Sequence, residues 1–165
     1  MRTSSAPVFR FEAARHEYFL DDVPIPSITQ LIKLGGLEKG SQFYKDSDRR
    51  RGQEIHRLCA DYDLGALDLL KLDSPFRSYV LAYVDASHRI QPTWDAVEEF
   101  EGHPQFRYGG RLDRVGVVHQ RRSVVEIKSG VKAQPDKETG VSSHEIQTAL
   151  QAMLAEVRYG LPARD

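Results

Sequence analysis

The chain has 165 residues, of which 40% are hydrophobic, and its formal net charge is −1. This length suits one domain that buries a hydrophobic core without stabilising disulfides or metals. The near-zero charge excludes a uniformly basic nucleic-acid-binding protein. The single cysteine, Cys59, excludes an intrachain disulfide and a four-cysteine iron–sulfur cluster. No apolar run approaches the length of a membrane span, and no signal-peptide core opens the sequence. We therefore expect a cytoplasmic protein without a membrane partner.

The N-terminal elements follow from aromatic alternation and turn residues. Residues 7–20 predict a β-hairpin with aromatic strand positions, and Asp21-Asp22 turns the chain after it. Ser27 is placed to cap a short helix that runs through Leu34 and stops at Gly35-Gly36. We expect residues 1–40 to form this N-terminal part of a single domain.

Residues 41–165 are expected to form the rest of that domain. Apolar residues at helical spacing predict a helix over 41–63, and Pro75 suits the first turn of a second helix that ends near Ile90. Alternating apolar and polar residues then predict a meander of strands, followed by an exposed polar loop and a last helix. The ranges are 94–101, 106–118 and 123–128 for the strands, 132–139 for the loop and 141–158 for the helix.

Two short motifs in this meander carry carboxylates. Asp113 lies in Gly-Gly-Arg-Leu-Asp-Arg-Val, and Glu126 and Lys128 lie two residues apart in Val-Val-Glu-Ile-Lys. Alternate residues of a strand share a face, so Glu126 and Lys128 should emerge together. If the two strands pair as an antiparallel hairpin with an even-sized loop, Asp113 falls on that same face.

Two carboxylates beside an ammonium suit a hard divalent cation. Oxygen ligands hold Mg²⁺ or Mn²⁺, which activates a water and screens phosphate charge. A lysine there can orient or deprotonate the attacking water, or stabilise the negative charge that grows on the phosphate. The alternative interpretation is a solvated hairpin in which Glu126 and Lys128 form an exposed pair of little worth.

Two helical residues extend the candidate site. His56 lies at the edge of the apolar face of the predicted helix 41–63, one turn from Gly52 and one turn from Ala60, which leaves its imidazole open to a ligand. Gln147, near the start of the last helix, is an uncharged side chain suited to a phosphate or a base. Each taken alone is more typical of a packing or solvent-facing residue.

The order of these pieces resembles the PD-(D/E)XK nuclease superfamily, in particular the RecB-like exonuclease branch and its phage-type members. That family has a helical Gly-x-x-x-His, a strand with an acid, Gly-x-(Ile/Leu)-Asp-Arg-Val, (Asp/Glu)-x-Lys and Gln-x-x-x-Tyr. The matching residues, in chain order, are Gly52, His56, Glu98 or Glu99, Asp113, Glu126, Lys128 and Gln147.

The resemblance implies an α/β fold in which helices flank a small, mostly antiparallel or mixed sheet. It implies Mg²⁺- or Mn²⁺-dependent cleavage of DNA, which we expect to be exonucleolytic, in recombination, repair or phage DNA processing, with a recombination complex as a protein partner. Asp113, Glu126, the Ile127 carbonyl and His56 would hold the metal, Lys128 would serve the water and Gln147 would position substrate. Arginines at the site would contact DNA, and the candidates are Arg51, Arg111 and Arg114.

Two departures from the family pattern support a rival interpretation. Gln151 stands where the family has Tyr, and the sequence stops at Asp165, where relatives continue into another strand and helix. Both features favour a catalytically silent DNA-binding or scaffold subunit. The complete set of Asp113, Glu126 and Lys128 favours an enzyme, because a silent binder gains nothing from two carboxylates where phosphate must approach. A sequence-specific endonuclease is a further alternative, which would need base-reading elements.

Overall fold

A computed structural model describes residues 7–37, 46–130 and 141–160. These residues form two compact units, one made of 7–37, 100–111 and 141–160 and the other of 46–99 and 112–130. The elements confirm an α/β protein. They are β1 (Phe9–Glu12), β2 (Glu17–Leu20), β3 (Val23–Ile25), α1 (Ile28–Leu34), α2 (Asp46–Asp63), α3 (Arg77–Ile90), β4 (Thr93–His103), β5 (Tyr108–Val118), β6 (Arg121–Val125) and α4 (Ser143–Tyr159).

The first unit contains an antiparallel sheet in the order β1-β2-β3. The predicted hairpin over 7–20 is confirmed, and both Asp21 and Asp22 adopt positive φ in the turn that follows it. The third strand was not predicted, because Pro24 lies at its centre. An edge strand tolerates this proline, since its outer side has no ladder partner to lose.

Aromatic packing forms the core of this sheet. Tyr18, Leu20 and Ile25 are buried, and Phe9, Phe11 and Phe100 pack against them. Phe11 and Phe100 stack with ring centroids 3.7 Å apart. The aromatic positions of the sequence are therefore structural in this part of the chain.

Capping residues define both helices of the first unit. Ser27 caps α1 through a capping box with Gln30, and Ser142 caps α4 through the same arrangement with Glu145. Gly160, at φ 63°, ends α4. The predicted boundaries of both helices are confirmed to within two residues.

In the second unit, α2 and α3 pack around Leu58, Val80 and Val84. The predicted start of α2 at residue 41 lies outside the described residues, as does the predicted loop 132–139. The start of α3 was wrongly predicted. Pro75 lies in a turn before the helix, because the Ser74 hydroxyl accepts the Phe76 N–H and holds a local turn there.

The second sheet has the order β4-β5-β6. β5 and β6 are antiparallel, and Val118 pairs with Arg121 across a two-residue turn. His119 and Gln120 both have positive φ, at 49° and 66°, which is the geometry of a type I′ hairpin turn. In the described parts of the chain no helix is long and apolar enough to cross a membrane.

Candidate metal centre

Asp113 lies in β5 with only 2% of its surface exposed. The last pair of the β5–β6 ladder joins Arg114 to Val125, so Asp113 and Glu126 are the next residue on each strand beyond the ladder. The antiparallel pairing and the even-sized loop expected from the sequence are confirmed. A side chain in this position cannot reach water freely, and its charge must be balanced by protein groups.

The strand carrying Glu126 and Lys128 is shorter than predicted, because β6 ends at Val125. The Asp113 carboxylate accepts a hydrogen bond of 2.9 Å from the Ile127 N–H. A side-chain carboxylate therefore takes a backbone donor that a longer ladder would have paired with a carbonyl oxygen. This bond fixes the segment 126–128 beside Asp113.

His56 and Glu98 complete a cluster with Asp113. The His56 Nδ1 lies 3.3 Å from a Glu98 oxygen and 3.5 Å from an Asp113 oxygen. One potential ligand atom from each of these three residues lies within 4.8 Å of the others. The sequence left the first-strand acid open between Glu98 and Glu99, and the geometry selects Glu98 for the cluster.

Glu98 has an unusual backbone conformation. Its φ is 54°, in the left-handed region, although it lies inside β4. Non-glycine residues adopt this region rarely and at a cost of roughly 1 kcal/mol or more. A residue of this kind interrupts the alternation of a strand and redirects the side chain, as β-bulges do.

Glu126 and Lys128 emerge together, as the strand pattern predicted. The Lys128 ammonium lies 2.5 Å from a Glu126 carboxylate oxygen. The Glu126 side chain is only 7% exposed and that of Lys128 is 36% exposed. The alternative of a fully solvated pair on a hairpin surface therefore does not describe Glu126.

The electrostatics of the cluster act most strongly on Asp113. Burial raises the pKa of its carboxyl most, the negative charges of Glu126 and then Glu98 act in the same direction, and the net pKa is about 7. The charge of His56 and the Ile127 N–H act in the opposite direction. The pKa of Asp113 is thus raised in the metal-free protein, as expected for a carboxyl group beside another carboxylate.

Arg114 was wrongly predicted as a DNA contact. Its side chain is completely buried, and its guanidinium donates to Asp63 at 2.5 Å and to Glu98 at 2.9 Å. It also donates to the Asp113 carbonyl oxygen at 2.6 Å. β5 buries both faces at this point, because Leu112, Asp113, Arg114 and Val115 are all buried. Arg114 therefore makes its contacts inside the second unit.

The remaining predicted contacts lie elsewhere. Arg51 is half-buried on α2 and pairs with Asp48 at 3.3 Å. Arg111 and Gln147 are half-buried residues of the first unit, and their proposed contacts with DNA stay predictions. Gln151, which the resemblance aligns with a tyrosine, is 1% exposed and donates to the Arg111 carbonyl oxygen at 2.9 Å. That position is structural in this chain.

Sequence reasoning missed two residues beside the cluster. Asp63 accepts from Arg114 and also from the Tyr83 hydroxyl, at 2.6 Å. Asp63 follows His56 by seven residues, which is about two helical turns, so α2 presents both residues on one side. That spacing is the signal that was available for Asp63, whereas Tyr83 carries no comparable signal.

The donor set fits a hard divalent cation. Two carboxylates and one imidazole converge from α2, β4 and β5, and the carboxylates repel each other when no cation is present. No protein-family model matches the chain, and no curated protein matches it in sequence. The site therefore has to be interpreted from its own chemistry.

Proposed function

We propose that this protein is a Mg²⁺- or Mn²⁺-dependent deoxyribonuclease with a PD-(D/E)XK active site in its second unit. The observation that carries the proposal is the convergence of His56, Glu98 and Asp113 within 4.8 Å, next to the Glu126–Lys128 pair. Elements far apart in sequence supply these groups. A chance cluster of exposed acids would not bury Asp113 to 2% exposure.

The roles follow from position and charge. Glu98, Asp113 and His56 would hold the cation, with Glu126 and the Ile127 carbonyl at the neighbouring position. When bound, the cation would lower the pKa of a water molecule and screen the phosphate. The Ile127 N–H already holds one Asp113 oxygen, at 2.9 Å, and so fixes the orientation of that carboxylate.

Among the described residues, Lys128 is the group best placed to act on the reaction itself. Its ammonium is held by the buried Glu126 carboxylate at 2.5 Å, while over a third of its side chain stays exposed. An ammonium in that position can donate to a phosphate oxygen as negative charge grows there, or orient the attacking water. The contact with Glu126 holds the ammonium in place.

The choice of DNA as substrate rests on the resemblance. Arg51 and Arg111 would contact phosphates, and Gln147 would position the substrate. Work at DNA ends in recombination, repair or phage DNA processing, in a complex with a protein partner, is the context that the resemblance favours.

A cleavage assay tests the proposal. The protein is incubated with end-labelled linear DNA and with closed circular DNA, each with Mg²⁺, Mn²⁺ or EDTA. We expect nucleotides to be released from linear DNA with either metal, and no release with EDTA. Glu98→Gln should abolish release, and Glu99→Gln, which changes the neighbouring acid outside the cluster, should retain it.

Other outcomes identify the alternatives. Cleavage of the circle at defined positions would indicate a sequence-specific endonuclease. Binding of DNA without cleavage of either substrate, with either metal, would contradict the proposal and identify a silent DNA-binding subunit.

A further inference from the structure

Arg114 is the largest side chain that is fully buried in the described parts of the chain. Burial of a guanidinium is costly unless every side of it is matched by acceptors. Here Nε donates to the Asp63 carboxylate and Nη1 donates to the Glu98 carboxylate and to the Asp113 carbonyl oxygen, while the buried Nη2 has no hydrogen-bond partner among the described residues. Two of these three acceptors belong to residues of the candidate metal centre.

The inner side of this arrangement is fixed by two helices. Asp63, at the last residue of α2, accepts from both Arg114 and the hydroxyl of Tyr83, which lies on α3. The Arg114 guanidinium also lies 5.7 Å from the centre of the Tyr83 ring. Asp63, itself held by Tyr83, thus binds the guanidinium at Nε, whereas Glu98 accepts from Nη1.

The outer side of the arrangement reaches Glu98. The same Glu98 oxygen receives the Arg114 Nη1 at 2.9 Å and faces the His56 Nδ1 at 3.3 Å. Glu98 has a left-handed backbone, at φ 54°, which a glutamate adopts only when its surroundings hold it there. An interaction with a buried, fully charged group can supply that restraint.

We propose that Arg114 is a positioning residue that fixes the Glu98 carboxylate in the His56–Asp113 cluster, with Asp63 and Tyr83 as its anchor. This inference rests on the proposed function, in which the positioned Glu98 carboxylate helps to receive a cation. Arg114 does not contact the cation or the DNA. It acts through Glu98.

The test uses Arg114→Lys, which keeps the positive charge. A single ammonium cannot make the forked contacts to Asp63, Glu98 and the Asp113 carbonyl together, so Glu98 should lose its restraint. The matched control is Arg122→Lys, because Arg122 also pairs with an aspartate of this unit, Asp95, at 2.9 Å, but on the exposed surface. Circular dichroism and thermal melts show first that both variants fold.

Mn²⁺ binding to the full chain is measured by electron paramagnetic resonance. Arg114→Lys should weaken Mn²⁺ affinity by about tenfold, in the range seen for groups that orient metal ligands, and Arg122→Lys should not. In a Glu98→Gln background, Arg114→Lys should have no further effect, because the path through Glu98 is already lost. An equal loss in both backgrounds would overturn the proposal, since it would show that Arg114 acts through general stability.

A crystal structure of metal-free Arg114→Lys separates this inference from the proposed function. We expect the Glu98 carboxylate to leave His56, where it lies at 3.3 Å in the unaltered chain, and we expect it to stay in Arg122→Lys. If wild type binds no Mn²⁺, the proposed function fails and this comparison alone decides the inference. An unmoved Glu98 in Arg114→Lys overturns it. If Arg114→Lys does not fold, Tyr83→Phe, which removes one anchoring hydroxyl, is compared in its place and decides by the same criteria.

Discussion

At the scale of single residues, Asp113 is buried, and the negative charges of its neighbours oppose ionisation of its carboxyl. Its carboxylate is 2% exposed and has Glu126 and Glu98 as acidic neighbours. The carboxylate accepts a hydrogen bond from the Ile127 N–H. The folded protein therefore carries a free-energy cost at neutral pH that a cation at this position would remove.

Asp113→Asn should stabilise the metal-free protein. The pKa of Asp113 is raised in the folded state, so its contribution to stability is present below its unfolded pKa and is lost as pH rises through about 7. We expect the variant to gain roughly 1 kcal/mol or more in free energy of unfolding at pH 8. Urea denaturation in EDTA measures this, and the gain should shrink at pH 5.

The same variant should lose stabilisation by Mn²⁺, which raises the melting temperature of a protein that binds it in the folded state only. Asp95→Asn, which removes an exposed carboxylate paired with Arg122, is the control for both measurements. Equal Mn²⁺ stabilisation of wild type and Asp113→Asn would contradict the assignment of Asp113 as a ligand.

Lys128→Ala should separate chemistry from binding. It removes the ammonium assigned to the water and the phosphate but leaves the carboxylates, so cleavage should be abolished while Mn²⁺ binding persists. DNA affinity should fall by no more than roughly tenfold, because one cation is a modest part of the summed phosphate contacts. Cleavage rates, Mn²⁺ titration and DNA binding at two salt concentrations test this. Cleavage at the wild-type rate would reject the mechanism.

At the scale of elements, the sequence predicted best where a local signal decides the structure. Ser27 caps its helix as expected, and the expected hairpin between β5 and β6 pairs in the expected sense. The failures involve competition from tertiary contacts. The end of β6 at Val125 follows from the Asp113 bond to Ile127, and no local pattern in 123–128 contains that information.

Gly116→Ala should destabilise the second sheet. A Cβ at this position of β5 would lie 2.1 Å from the Thr93 carbonyl oxygen and 2.9 Å from the Trp94 Cα, which are backbone atoms of β4 and cannot rotate away. We expect a loss of about 2 kcal/mol or more in free energy of unfolding. Gly130→Ala is the control, because a Cβ there meets nothing within 4 Å. Equal stability of the two variants by urea denaturation would contradict this account of the strand contact.

At the scale of the whole molecule, the near-zero net charge is the sum of two sets of charged groups, one buried at the cluster and one on the surface. Acidic groups and Arg114 lie buried at the cluster, whereas pairs such as Arg122 with Asp95 lie on the surface. The resemblance pointed to His56 and Asp113 and left the third residue open between Glu98 and Glu99, because motif order follows the chain. It did not predict that Arg114 lies inside or that Asp63 and Tyr83 support it, since those facts depend on packing between distant segments.

Stability of the whole chain should depend on pH through His103, a buried residue of the first unit. Burial lowers the pKa of its imidazole, and its Nδ1 accepts the Phe106 N–H at 3.1 Å, which requires the neutral ring. The unfolded state therefore binds the extra proton, and stability is lost as pH falls below about 6.5.

His103→Asn keeps an acceptor in the place of Nδ1 and has no proton to gain. We expect the difference in free energy of unfolding between pH 7.5 and pH 5.5 to be smaller in the variant by about 1 kcal/mol, as measured with urea. His119→Asn, at the exposed hairpin turn, should leave the wild-type difference unchanged. An unchanged difference in His103→Asn would contradict the assigned protonation state.

The left-handed backbone of Glu98 determines which substitutions this position tolerates. Glycine and asparagine adopt φ near 54° more readily than glutamate does, so a library of substitutions at this position that is selected for folding alone should be enriched in those two residues. Selection for DNA cleavage should instead retain acids. Deep sequencing of both selections would show opposite preferences at one site, and identical preferences would mean that the carboxylate is not what keeps glutamate there.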